Sequence, residues 1–218
     1  MEIREQVEQE AIEANRASAS LSDEAVESAL GETAALVRER SAVVLAANEA
    51  DCAAAAGRLD EGTLDRLRLD AKRIETLAAQ VEATAAIAPL EREISSWTLA
   101  NGLEISERRI PIGTVGANFE ARPNVALDVA GQLLKSLNAA VLRTGGAALR
   151  TVTALVDEVL RPALERAGLP AGAVGLVRTP HHEGARVLVS LPQGIPLVIL
   201  RGSGETTAAL ARLAAENG

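Results

Sequence analysis

The sequence predicts an α/β protein: a parallel sheet held between two helical layers in an α/β/α sandwich, preceded by helices and an antiparallel hairpin. Three observations predict it. From residue 111 onward, short apolar runs alternate with amphipathic stretches across short, glycine-bearing links, the signature of successive β-α-β units. Residues 1–90 instead carry apolar side chains at helical spacing. Between them, residues 91–110 alternate apolar and polar around Asn101-Gly102, a strong local hairpin signal.

Taken in order, Ile3, Val7, Ala11 and Ala14 share one face of a first helix. Ser22 is placed to cap a second, with Asp23 and Glu24 in its first turn. That helix runs through Ala25, Ala29 and Leu36, with Gly31 as a candidate break. Val43, Val44 and Ala47 continue an apolar stripe towards Cys52, and Gly57 and Gly62 punctuate the chain. A further helix from Asp70 to Ile87 buries Ile74, Leu77 and Val81, and Pro89 lies beyond its end. In the hairpin, Trp97 reads as an anchor, and the exposed strand edge can pair with another subunit. The sheet then comprises strands at Ile112–Phe119, Ala139–Leu142, Ala173–Val177 and Pro196–Leu200. Helices at Val125–Leu137, Thr151–Ala167, Glu183–Ser190 and Glu205–Ala215 separate or follow them, the second closed by Gly168 and Pro170. The implied division is a helical segment (1–90), a hairpin arm (91–110) and a sheet domain (111–218).

Composition excludes several classes of function. With 218 residues, 48% hydrophobic and 24% charged, the chain can bury a sizeable core. Aromatics contribute only 1%, so that core is packed from Ala, Val, Leu and Ile. A net charge of −8, no basic block and no aromatic platform argue against nucleic acid. The single cysteine excludes an internal disulfide and suits a reducing compartment. The acidic, helical start is unlike a signal peptide, and no apolar run reaches membrane-spanning length. The cytoplasm is the expected location. Adjacent His181-His182, without a second pair or a cysteine spacing, predict no metal site. Acidic neighbours oppose thiolate formation at Cys52, which reads as a packing residue.

Chemistry is expected at the carboxyl ends of the strands, where open parallel sheets bind ligands. Two strand ends share a pattern: Arg143-Thr144-Gly145-Gly146 and Arg201-Gly202-Ser203-Gly204. Glycines let backbone approach a ligand, and the following helix start offers free N–H groups to an anion. An arginine adds a two-pronged phosphate contact. Neither loop is a Walker A or G-x-G-x-x-G motif, and either can be a plain turn. A third element, Phe119-Glu120-Ala121-Arg122-Pro123-Asn124-Val125, also joins a strand to a helix. Asn124 there can donate to a carbonyl or oxyanion. Local capping and pairing by Glu120, Arg122 and Asn124 is the alternative.

These residues resemble a known family. Pro111-Ile112-Gly113-Thr114-Val115-Gly116, Glu120-Ala121-Arg122-Pro123-Asn124-Val125 and the run Leu134–Arg143 are similar to γ-glutamyl phosphate reductase, of the aldehyde dehydrogenase superfamily. Asp65–Asp70, Trp97-Thr98 and Asn101-Gly102-Leu103 add to the likeness. The resemblance implies a Rossmann-like, aldehyde dehydrogenase-like cofactor domain. It implies reduction of L-glutamyl 5-phosphate by NADPH to L-glutamate 5-semialdehyde, in proline biosynthesis. On the same basis Arg143, Gly145 and Gly146 line the adenosine and phosphate side of NADP(H), Gly202 and Ser203 form a second cofactor loop, and Asn124 lies near the reacting carbonyl.

The chain departs from the family pattern in three places. Leu137 stands where Lys-Ser-Gly-Asn has glycine, Arg143-Thr144-Gly145-Gly146 stands for Arg-Gly-Gly-Ser, and Leu200-Arg201-Gly202-Ser203 stands for Pro-Arg-Gly-Gly. The family nucleophile is a cysteine of a following catalytic domain, and Cys52 does not match it. The resemblance therefore implies the cofactor-binding portion without the thiolate that displaces phosphate, and a chain inactive on its own. A non-catalytic assembly protein and an aldehyde dehydrogenase-like enzyme of another substrate class are the two rival readings.

Overall fold

The computed structural model describes residues 2–218. Five helices come first: α1 (Ile3–Ser18), α2 (Asp23–Glu39), α3 (Ser41–Ala55), α4 (Glu61–Leu67) and α5 (Ala71–Ala85). Ser22 caps α2 by accepting from the Ala25 N–H at 3.3 Å, and Asp70 caps α5 by accepting from the Arg73 N–H at 2.7 Å. Gly31 does not interrupt α2, and Gly62 lies inside α4 rather than marking a break. The expected stripe along α3 is displaced by one residue. Val44 is buried and Val43 exposed, and the inward face also carries Asn48 and Asp51. Two polar residues on a buried face defeat a periodicity argument built on apolar positions alone.

The hairpin pairs β1 (Glu93–Thr98) with β2 (Glu104–Arg108), Trp97 opposite Ile105. Its turn differs from the two-residue Asn-Gly form. The Gly102 N–H donates to the Leu99 carbonyl, and only Gly102 has a positive φ, of 86°. The loop therefore spans three residues, with glycine in the left-handed position that closes the bulge. Trp97 stays 47% exposed. Arg92, at the foot of the hairpin, joins it to the start of α2 through two bonds to Asp23 at 2.7 and 2.9 Å. That pairing holds the Asp23 carboxyl below the usual range.

The main sheet has the order β5-β4-β3-β6, all parallel. Its strands are β3 (Thr114–Phe119), β4 (Ala139–Thr144), β5 (Val174–Leu176) and β6 (Leu197–Leu200). Helix α6 (Asn124–Lys135) joins β3 to β4. A near-continuous helix, α7 (Leu149–Leu155) and α8 (Arg161–Arg166) with a π-helical segment between, leads to β5. Helix α9 (Glu183–Leu188) precedes β6, and α10 (Gly204–Asn217) follows it. Alternation along the strands divides the core. Ala140 and Leu142 face α2, α5, α6, α7 and α8, whereas Ala139 and Val141 face α1 and α9. The N-terminal helices thus supply parts of both layers.

Two close approaches shape the sheet. A Cβ at Gly116 would lie 2.9 Å from Ile195 and 3.1 Å from Val198, so only glycine lets that layer close. At the edge strand β5, a Cβ on Gly175 would lie 2.7 Å from the carboxylate of Glu10 on α1, which pairs with Arg161 at 2.9 Å. Burial raises the Glu10 pKa, and Arg161 pulls against that rise.

Candidate functional site

The carboxyl ends of β3, β4 and β6 bring three loops together. The glycine at each of two loops faces the same residue, Glu120. Its Cα lies 4.0 Å from where a Cβ of Gly145 would be, and its carboxylate lies 2.8 Å from where a Cβ of Gly202 would be. A strand-end carboxylate therefore stands between the two glycine turns that the sequence paired. Three backbone bonds hold the arrangement: the Gly145 N–H donates to Phe119, the Arg201 N–H to Asn118, and the Val177 N–H to Leu142.

The two glycine loops are not equivalent. After β4, Gly146–Ala148 forms a single 3₁₀ turn leading into α7, and a Cβ at Gly146 would lie 3.0 Å from Pro180. The start of α7 is already served by an anion of the chain itself. Asp51, 3% exposed on α3, accepts from both the Thr151 N–H and the Thr151 hydroxyl at 2.8 Å. The charge that would favour a bound phosphate at this helix start is met by that carboxylate. After β6 the picture differs. Ser203 caps α10, accepting from Thr206, and a Cβ at Gly204 would meet nothing within 4 Å. The Ser203 hydroxyl takes up the Thr206 amide, and the Gly204 and Glu205 amides bond no other group among the described residues, as an anion or pyrophosphate requires.

Arg143 is 3% exposed and points into the sheet layer, not outward. Its guanidinium donates to Asn118 Oδ1 at 3.1 Å and to the His181 carbonyl at 3.0 Å, while Nε has no partner among the described residues. Burial lowers its pKa, and the Glu120 charge opposes that fall. Sequence gave Arg143 and Arg201 the same role. The structure separates them, because Arg143 lies on the inner strand β4 and Arg201 follows the edge strand β6. Arg201 lines an open groove of about 430 Å³ between α6 and β6, with Val125, Val129, Leu133 and Ile199. Asn124, the first residue of α6, opens on a different cavity of about 270 Å³ beside the α4–α5 loop.

Other residues fall outside these loops. Burial pushes the Cys52 thiol up, Asp51 adds to this and Arg68 opposes it. His182 precedes α9, and no group of three or more His, Cys, Asp or Glu suited to a metal occurs among the described residues. No described helix is long and apolar enough to cross a membrane. The sequence reading missed Asp51 as a cap and Glu120 as the residue between the loops. Asp51 sits among acids in an alanine-rich helix, where nothing local marks it as a cap, so only its distant partner Thr151 reveals it.

No family model matches the chain. A γ-glutamyl phosphate reductase from Clavibacter michiganensis subsp. michiganensis is 48% identical over 165 residues, covering 74% of this chain and 38% of that protein. The crystal structure of γ-glutamyl phosphate reductase from Thermotoga maritima superposes with a TM-score of 0.92 at 28% identity, covering 96% of this chain and 51% of that one. In sequence and in fold the chain resembles γ-glutamyl phosphate reductase. It spans about half the length of the reductases it matches. An NAD-dependent aldehyde dehydrogenase from Sinorhizobium meliloti shares the fold, with a TM-score of 0.76 at 17% identity. The fold is therefore that of the aldehyde dehydrogenase-like reductases. The segments that carry the likeness to γ-glutamyl phosphate reductase run through β3, α6 and β4, on which the Glu120 loop and Asn124 are mounted.

Proposed function

We propose that this chain is the cofactor-binding part of a γ-glutamyl phosphate reductase. The reaction is NADPH-dependent conversion of L-glutamyl 5-phosphate to L-glutamate 5-semialdehyde and phosphate, in the proline pathway of the cytoplasm. The observation that carries this reading is the meeting of the β3–α6 and β6–α10 loops at Glu120, with the α10 start open beside them. Bound NADPH supplies the hydride. The chain's own residues bind and orient. Gly202, Ser203 and the first amides of α10 receive the pyrophosphate, and Gly145 and Gly146 back the adenosine side. Arg143, buried, holds Asn118 and the His181 carbonyl so that the β4 and β5 ends keep their places. Glu120 is an acceptor suited to ribose hydroxyls rather than to phosphate. The Asn124 amide is a donor for the substrate carbonyl.

Titration of the chain with NADPH and with NADH, followed by fluorescence, tests the proposal. Saturable binding is expected, weakened roughly tenfold or more in Gly202→Val, whose side chain must push Glu120 aside. The melting temperature should not move, because Gly202 is exposed. Absence of binding at millimolar cofactor refutes the reading. The hairpin favours a second role in self-association, since Trp97, Leu103 and Ile110 are all exposed along it. Sedimentation of the chain with and without Trp97→Ser checks that role.

A further inference from the structure

We infer that the cavity between the α4–α5 loop and the start of α6 is a binding site for a small oxyanion, a phosphate monoester or carboxylate, held by Arg68 and Arg122. The cavity is lined by Arg66, Arg68, Arg73, Arg122 and Asn124, with Asp65 the single carboxylate. Four arginines against one acid is a local excess of three positive charges, in a chain whose net charge is −8. Such a concentration of guanidinium groups repels itself unless an anion joins it.

The four are not alike. Arg73 pairs with Asp65 at 2.9 Å, and Arg66 donates to Thr63 at 2.8 Å. No ion pair or side-chain hydrogen bond among the described residues engages Arg68 or Arg122. These two arginines come from separate elements, one from the α4–α5 loop and one from the β3–α6 loop. Each can offer a two-pronged contact to one group of oxygens. Asn124, the first residue of α6, lines the same cavity with its carboxamide, whereas the Val125 and Ala126 amides already bond the Arg122 and Pro123 carbonyls at 3.1 Å.

The arginine loop is built, not floppy. Leu67 is fully buried, which turns its neighbours Arg66 and Arg68 outward. Buried Asn48 clamps the backbone on both sides of Arg68, donating to the Leu67 carbonyl at 2.9 Å and accepting from the Leu69 N–H at 2.7 Å. Arg73 donates to the Arg68 carbonyl at 2.7 Å and to the Asp65 carbonyl. The Arg68 side chain is thus left free on a fixed backbone, an arrangement that limits the entropy lost on binding. Naming the natural ligand as the acidic substrate of the reductase rests on the function proposed above; the oxyanion site itself does not.

The test uses the full chain, with inorganic phosphate and L-glutamate as separate probes at matched ionic strength. Binding is read from backbone amide shifts of Arg68 and Asn124. Saturable shifts with at least one probe are expected, and the probe that saturates identifies phosphate or carboxylate as the preferred group. Arg68→Gln and Arg122→Gln should each weaken it roughly tenfold, a change of about 1.4 kcal/mol. Arg58→Gln, on another cavity, should leave it unchanged. The proposal is overturned if neither probe saturates, or if both arginine variants bind as tightly as the parent. A parallel NADPH titration separates the two ideas. NADPH binding without oxyanion binding removes the pocket and keeps the reductase. Arginine-dependent oxyanion binding without NADPH binding does the reverse.

Discussion

Replacing Asp51 by alanine should be among the most damaging single changes to this fold. Asp51 Oδ2 accepts two hydrogen bonds from Thr151, through its backbone N–H and its hydroxyl, both at 2.8 Å and both buried. Hydrogen bonds to a charged partner contribute about 1.5–3 kcal/mol each, and leaving a buried donor unsatisfied costs about 1–3 kcal/mol. The two share one acceptor, and the Thr151 hydroxyl oxygen keeps its own bond from Asn48 at 3.2 Å. A loss of about 3 kcal/mol is therefore expected, rather than the sum of separate maxima. For a chain of this length that lowers the melting temperature by about 6–12 °C. Urea unfolding of Asp51→Ala, Thr151→Val and the double variant measures it. Because the residues touch, the cycle should give a coupling energy of about 1 kcal/mol or more. A change below about 0.5 kcal/mol for Asp51→Ala, or simple additivity, would show that the α7 start does not depend on this carboxylate.

Three further outcomes follow from the geometry. Leu137 sits at φ 58° just past α6, where the Asn138 N–H donates to Leu133 and the Leu137 N–H to Leu134, both at 2.8 Å. This is the glycine position of a helix stop, so Leu137→Gly should be more stable than Leu137→Ala by about 1 kcal/mol in urea unfolding, the reverse of their helix ranking. Arg38 bonds both Glu75 and Glu82 and holds both carboxyls below the ordinary range. A depressed folded pKa gives stability that is present above the unfolded value and lost as pH falls through the folded one. Arg38→Gln should raise both glutamate titrations by NMR and flatten the acid limb of stability below about pH 4.5. Finally, Glu120→Gln removes the negative charge between the glycine loops, and the ratio of NADPH to NADH affinity should rise, as measured by paired titrations. An unchanged ratio would place the 2′-phosphate away from Glu120.

What was legible in the sequence was what is local. Caps at Ser22 and Asp70, the stripe of Ile74, Leu77 and Val81, and the strand-glycine-helix units each depend on residues a few positions apart. The chain itself writes such patterns, so the α/β/α architecture and the positions of the three strand-end loops could be read directly. The misreadings share a cause. Val43 and Val44 are both apolar, and only the partner helices decide which faces inward. The Asn101-Gly102 turn was recognisable as a turn, but its three-residue form depends on strand register.

The sequence alone determined a parallel sheet with helices on both sides, glycine turns at two strand ends and a γ-glutamyl phosphate reductase-like pattern across the chain. Tertiary structure alone decided what those turns face. Asp51 and Thr151 lie 100 residues apart in the chain, yet they meet at the start of α7. Arg143 is drawn inward by Asn118 and His181, and Arg68 and Arg122 arrive in one cavity from separate elements. Local periodicity specifies which way a side chain leaves its own helix or strand. Which charge it then meets is set by packing between elements distant in sequence.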